Sequence, residues 1–116
     1  MFYIGIDGGG TKTKFTLINE ENEIIFTTEK GTCHYNQIGF DGTEKVLNEG
    51  LRDILESTKL NIKHIKGVCL GLAGYGKVES DAKRLEKIVK RIFDGVPYKL
   101  LNDVQIAHAA ALGLED

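Results

Sequence analysis

The segment Asp7-Gly8-Gly9-Gly10-Thr11-Lys12-Thr13 constrains this chain more than any other. It stands between two short runs, Phe2 to Asp7 and Lys14 to Asn19, the second carrying Phe15, Thr16, Leu17 and Ile18. β-Branched and aromatic residues fit a pleated strand, and two such runs around a glycine turn read as strand, turn, strand. The glycines invite comparison with the phosphate-binding pattern GxxxxGK[ST]. Read from Gly5, however, Thr11 stands between Gly10 and Lys12, and the pattern fails by one residue. That loop also opens a helix, whereas this one leads into a strand. A phosphate here is therefore expected on hairpin amides in a nest-like concavity, not on a helix N-terminus. The plainer alternative is a hairpin that needs glycine for positive φ.

After the polar turn Glu20-Glu21-Asn22, Glu23 to Lys30 reads as a third strand, so three antiparallel strands open the fold. From Thr43 the period becomes helical, with Leu47, Leu51, Ile54 and Leu55 in phase to about Lys59; Asp41 with Glu44 offers a capping-box-like start. Ile65 to Ala73 is apolar without alternation, as in a strand covered on both faces, and runs into the loop Gly71 to Gly76. Ala82, Leu85, Val89, Ile92 and Phe93 form the stripe of a second helix, with Ser80 near its start and Gly95 and Pro97 as stops. Tyr98 to Leu101 returns to strand, and Asp103 to Leu112 reads as an alanine-rich third helix. The order is βββαβαβα: an α/β fold with a mixed five-stranded sheet, helices on its faces and right-handed crossovers. Ligands of open sheets collect at the carboxyl ends of parallel strands. Three such ends carry chemistry here: Asp7 with its glycines, the Gly71 to Gly76 loop, and Asn102-Asp103.

The 116 residues allow one domain, and a net charge of −2 excludes the basic footprint of nonspecific nucleic-acid binding. No apolar run approaches the roughly 20 residues of a membrane span, and Met1 to Asp7 lacks a signal-peptide pattern. Cys33 and Cys69 show no metal-ligand or disulfide spacing, which fits reduced thiols in a cytoplasm.

Each candidate has a functional and a bland reading. Asp7 sits where a hydrated Mg²⁺ would bridge phosphate oxygens held by Gly8, Gly9, Gly10, Thr11 and Lys12. Asn102-Asp103 is either a helix N-cap or, through Asp103, a base taking the proton of an attacking hydroxyl. The Gly71 to Gly76 loop, with Gly74, is either a simple connection or bare backbone that closes on a polar ligand. His34, beside Asn36 in the loop Gly31 to Gly39, is either solvated or a ligand contact; His64 and His108 read as ordinary and both thiols as structural or incidental.

Taken in order, Ile4-Gly5-Ile6-Asp7-Gly8-Gly9-Gly10-Thr11-Lys12-Thr13, the Gly31 to Gly39 loop, Gly71-Leu72-Ala73-Gly74 and Asn102-Asp103 resemble the N-terminal lobe of the BadF/BadG/BcrA/BcrD ATPase and N-acetylglucosamine kinase family. The resemblance implies a ribonuclease-H-like lobe of the actin-like, Hsp70-like and sugar kinase superfamily, in which two lobes close over ATP and Mg²⁺. It places Thr11 and the glycine turn on the ATP phosphates, Asp7 near the metal, and Asp103 on the sugar as base, with His34, Asn36, Gly74 and Asn102 on the substrate side. One slot departs: where the kinases carry Gly-x-x-Asn, this chain has Gly31-Thr32-Cys33-His34, with Asn36 as a substitute. The expected protein is an ATP-dependent amino-sugar kinase of the cytoplasm, residues 1 to 116 forming its first lobe. Its partners would be a small sugar and its own C-terminal lobe, with a homodimer left open and neither nucleic acid nor membrane among them. Two alternatives stand: an ATPase that activates 2-hydroxyacyl-CoA dehydratases, and a noncatalytic regulatory lobe.

Overall fold

The computed structural model describes residues 1–102. Strands β1 (Phe2–Gly8), β2 (Lys12–Asn19) and β3 (Ile24–Gly31) form an antiparallel meander. Helix α1 (Tyr35–Thr58) and a short 3₁₀ turn (Ile62–His64) then lead to β4 (Ile65–Leu72), which pairs parallel to β1. Helix α2 (Glu79–Ile92) returns the chain to β5 (Tyr98–Leu101), parallel to β4. The sheet order is β3-β2-β1-β4-β5, the expected mixed five-stranded α/β lobe. The third helix expected from Asp103 lies outside the described residues. Among the described residues no helix is long and apolar enough to cross a membrane.

Side chains alternate across a strand, and the core follows from that period. Ile4 and Ile6 of β1, Phe15 and Leu17 of β2, and Val68 and Leu70 of β4 are all fully buried, in one cluster with Leu47 and Ile54 of α1 and Val89 of α2. Each such side chain contributes about 1.5–3 kcal/mol through burial. The other face of the sheet is covered too: Tyr3, Ile18 and Cys69 have no exposure. This explains why β4 lacks a polar alternation.

One boundary corrects the sequence reading. Helix α1 starts at Tyr35, eight residues before Thr43, because His34 caps it: the Asn36 amide donates to His34 Nδ1 at 3.2 Å. The first turn breaks from the long helix at Gly39, whose φ of +77° suits glycine. Beyond the break, the buried Thr43 hydroxyl lies 2.6 Å from the Cys33 carbonyl and ties the helix back to the loop before it. Asp41 and Glu44 form no capping box. Glu44 instead receives Arg91 of α2 through two hydrogen bonds of 2.8 and 2.6 Å, bracing the two helices. A capping box does occur at the 3₁₀ turn, where the Asn61 side chain caps the turn and His64 Nδ1 accepts from the Asn61 amide at 3.0 Å.

Candidate functional site

Register brings the predicted strand ends together. Asp7 stands opposite Lys14 of β2 on one side and Gly71 of β4 on the other, and Gly71 is opposite Leu101 of β5. The Ala73 amide donates to the Gly8 carbonyl at 2.9 Å, joining the turn after β1 to the turn after β4. Asn102, at the end of this row, is exposed, and Asp103 lies outside the described residues.

The glycine motif leads into a hairpin and not a helix, as expected: Gly8 ends β1 opposite Thr13, the Gly9 amide donates to the Lys12 carbonyl at 3.0 Å across the turn, and β2 follows directly. The reason for its glycines is not the one a plain hairpin supplies. None of the three has positive φ; that conformation belongs to Gly39, Gly74, Gly76 and Gly95. Gly8 is required by packing, since a Cβ there would stand 2.6 Å from Cys33 Sγ and 2.7 Å from Leu72 Cδ2. At Gly9 and Gly10 the nearest atoms to an added Cβ are 3.6 and 3.7 Å away, ordinary contact distances. Neither turn geometry nor internal packing demands glycine at 9 and 10, whereas close approach of a ligand to the backbone would.

A cleft of about 280 Å³ opens beside this turn, lined by Asp7, Gly9, Thr11, Lys12 and Lys14. Its two ammonium groups, one hydroxyl and one carboxylate suit an anion carrying a hard cation. Lys12 reaches Glu29 at 3.4 Å, a solvent-exposed pair of small energetic value. Lys14 was missed by sequence reasoning. The signal was available in the period of β2, which places Lys14 on the same face as Lys12, directly across from Asp7.

On the neighbouring side, the loop after β3 meets the loop after β4. An added Cβ on Gly74 would stand 3.0 Å from His34 Nε2, so these two sequence-predicted residues lie side by side. Because His34 Nδ1 accepts the Asn36 amide, the neutral imidazole carries its proton on Nε2, toward Gly74. Asn36 itself is exposed in the first turn of α1. Thr32 and Gln37, which sequence reasoning also passed over, bind the glycine turn directly: the Thr32 hydroxyl donates to the Gly9 carbonyl at 3.2 Å and Gln37 Nε2 to the Gly10 carbonyl at 3.0 Å.

The two thiols fit the structural reading. Burial pushes Cys33 above the ordinary thiol range against a smaller opposing contribution from the Thr13 hydroxyl. Burial likewise pushes Cys69 up to about 11, with Lys99 opposing and Asp7 reinforcing. Both should resist iodoacetamide in the native protein at pH 8 and react on denaturation, as mass spectrometry would show. A thiol raised in the folded state keeps its proton where the unfolded chain loses it, so its stabilising contribution holds below about pH 9 and is lost as pH climbs toward 11. Rapid native alkylation would contradict this assignment.

The chain is 23% identical over 112 residues to N-acetyl-D-glucosamine kinase of Dictyostelium discoideum, covering 90% of this chain and 35% of that protein. It is 25% identical over 111 residues to N-acetylmuramic acid/N-acetylglucosamine kinase of Clostridium acetobutylicum, covering 96% of this chain and 36% of that one. It thus spans about a third of the length of these relatives. In fold it matches a candidate sugar kinase from Cytophaga hutchinsonii, with a TM-score of 0.59 at 21% identity over 86% of this chain and 35% of that one. A candidate N-acetylmannosamine kinase from Listeria monocytogenes matches with a TM-score of 0.53 at 18% identity, over 86% of this chain and 34% of that one. The model of one family aligns with residues 4–113, nearly the whole chain, and on that match the chain belongs to the BadF/BadG/BcrA/BcrD ATPase family.

Proposed function

We propose that this chain is the N-terminal lobe of an ATP-dependent kinase that phosphorylates a hydroxyl of an amino sugar in the cytoplasm. The observation that carries the reading is the cleft of Asp7, Gly9, Thr11, Lys12 and Lys14 at the carboxyl edge of the sheet, with His34 and Gly74 side by side on the neighbouring loops. The lysines and the bare turn offer cations and amides to phosphate oxygens. Among the described residues no group of three or more His, Cys, Asp or Glu could hold a metal ion. A lone carboxylate nevertheless fits Mg²⁺, which keeps most of its waters and binds through one or two carboxylates plus substrate phosphates. Asp7 is the residue that would hold it. Bound there, the ion would neutralise charge developing on the phosphoryl oxygens.

His34 Nε2–H and the Gly74 backbone would orient the sugar, with Asn36 and Asn102 at the margin, and Asp103 would accept the proton of the attacking hydroxyl. Both sugar-kinase relatives act on N-acetylated sugars by name, which supports an acceptor of that class. Adenosine contacts would come from a C-terminal lobe. Purified residues 1–116 alone are therefore expected to show no turnover, because one lobe cannot align the γ-phosphate.

The test is a phosphorylation screen of the full-length protein with ATP, Mg²⁺ and a panel of sugars and N-acetylated sugars, scored by mass spectrometry of the product. A phosphorylated amino sugar supports the reading. ATP hydrolysis with no acceptor phosphorylated would transfer the assignment to an activator-type ATPase.

A further inference from the structure

The peptide groups at the tip of the glycine turn are held from behind, by the segment that also carries His34. A trans peptide points its C=O and the following N–H in opposite directions, and no cis bond occurs among the described residues. The Gly9 carbonyl, held by the Thr32 hydroxyl, therefore directs the Gly10 amide away from the β3–α1 loop. The Gly10 carbonyl, held by Gln37 Nε2, does the same for the Thr11 amide. Glycine leaves these two planes free to rotate, so the order of the amides depends on the two donors. A carbonyl already accepting a bond also polarises its own amide and makes that N–H a stronger donor.

The same donors are wired to the candidate sugar contact. The Thr32 hydroxyl accepts the His34 amide at 3.1 Å while giving its one proton to Gly9, and the Gln37 amide donates to the His34 carbonyl at 2.9 Å. A displacement of His34 by a ligand thus reaches both peptide planes within one or two hydrogen bonds.

We propose that Thr32 and Gln37 are positioning residues that aim the Gly10 and Thr11 amides at the nucleotide phosphates and couple acceptor binding at His34 to the phosphate turn. The proposal rests on the nucleotide reading given above. It assigns neither residue to the reacting atoms.

The test compares wild type, Thr32→Val, Thr32→Ser, Gln37→Glu and Gln37→Ala of the full-length protein by calorimetric titration with MgATP. Gln37→Glu keeps the shape, removes the donor and places a carboxylate in the first turn of a helix, where it is tolerated. Thr32→Val and Gln37→Glu are each expected to weaken MgATP binding about three- to tenfold, the usual range for one lost hydrogen bond, while Thr32→Ser restores it. In the presence of saturating MgATP the Gly10 and Thr11 amides of the weakened variants should exchange with deuterium faster than in wild type, while the amides within β1 and β2 remain protected. MgATP binding equal to wild type in Thr32→Val and Gln37→Glu would overturn the proposal alone. Weakening shared equally by Thr32→Ser, or accompanied by general loss of protection in β1 and β2, would also overturn it. Failure of the wild-type protein to bind MgATP would overturn the nucleotide reading and this proposal with it.

Discussion

Gly50→Ala should destabilise the fold by about 3 kcal/mol, the upper end of overpacking costs. Intrinsic propensity alone gives the opposite sign, since alanine in a helix interior is favoured over glycine by roughly 1 kcal/mol. Packing decides. Gly50 faces β2 from α1, and a Cβ there would stand 2.1 Å from Cζ of Phe15, with two more ring atoms at 2.3 and 2.4 Å. Phe15 is fully buried, so its ring cannot swing aside without moving the core around it. Denaturant titration of the full-length protein would show the loss as a lower midpoint with an unchanged slope. A second substitution identifies the cause. Phe15→Leu shortens the obstructing ring, so the double variant should be destabilised by less than the sum of the two single changes, which marks a shared contact. Strict additivity, or a Gly50→Ala midpoint close to wild type, would show that the helix shifts away from the sheet at little cost.

The same contrast between local preference and packing separates what the sequence revealed from what it concealed. Strand period, the apolar run of β4 and the stop signals Gly95 and Pro97 carry their information within a few residues, and the five described strands follow from them. The start of α1 did not. Its cap is a histidine nitrogen, outside the usual serine, threonine, aspartate and asparagine set, and a glycine with positive φ interrupts the period just after the first turn. At the candidate site, Asp7 and the glycines announced themselves as a contiguous motif, whereas Lys14 is brought to it by register and Thr32 and Gln37 by hydrogen bonds 23 and 27 residues apart in the chain. No local pattern encodes a bond of that span. Gly8 shows the complementary case: a glycine within the motif has its own packing reason, contact with Cys33 and Leu72, that only the fold displays.

For Asp103→Asn in the full-length protein, kcat should fall by about two to four decades, with the melting temperature nearly unchanged. The residue follows β5, whose last paired position, Leu101, stands opposite Gly71 and one strand away from Asp7, so β5 delivers the chain to the edge that carries the glycine turn. Asp103 itself lies outside the described residues, and its role is the one proposed for the base. The substitution separates that role from a helix cap, because asparagine caps about as well as aspartate but cannot accept the hydroxyl proton. General-base contributions of about 10² to 10⁴-fold set the size of the effect. Since MgATP binding is assigned to Asp7, Thr11, Lys12, Lys14 and the turn amides, its affinity should change by less than about threefold, a bound that allows for one lost weak hydrogen bond. Near-normal turnover would show that the carboxylate only caps a helix. Loss of MgATP affinity in step with kcat would instead place Asp103 within the phosphate and metal site, and the proton acceptor would have to be sought elsewhere along the edge formed by Asp7, Gly71 and Leu101.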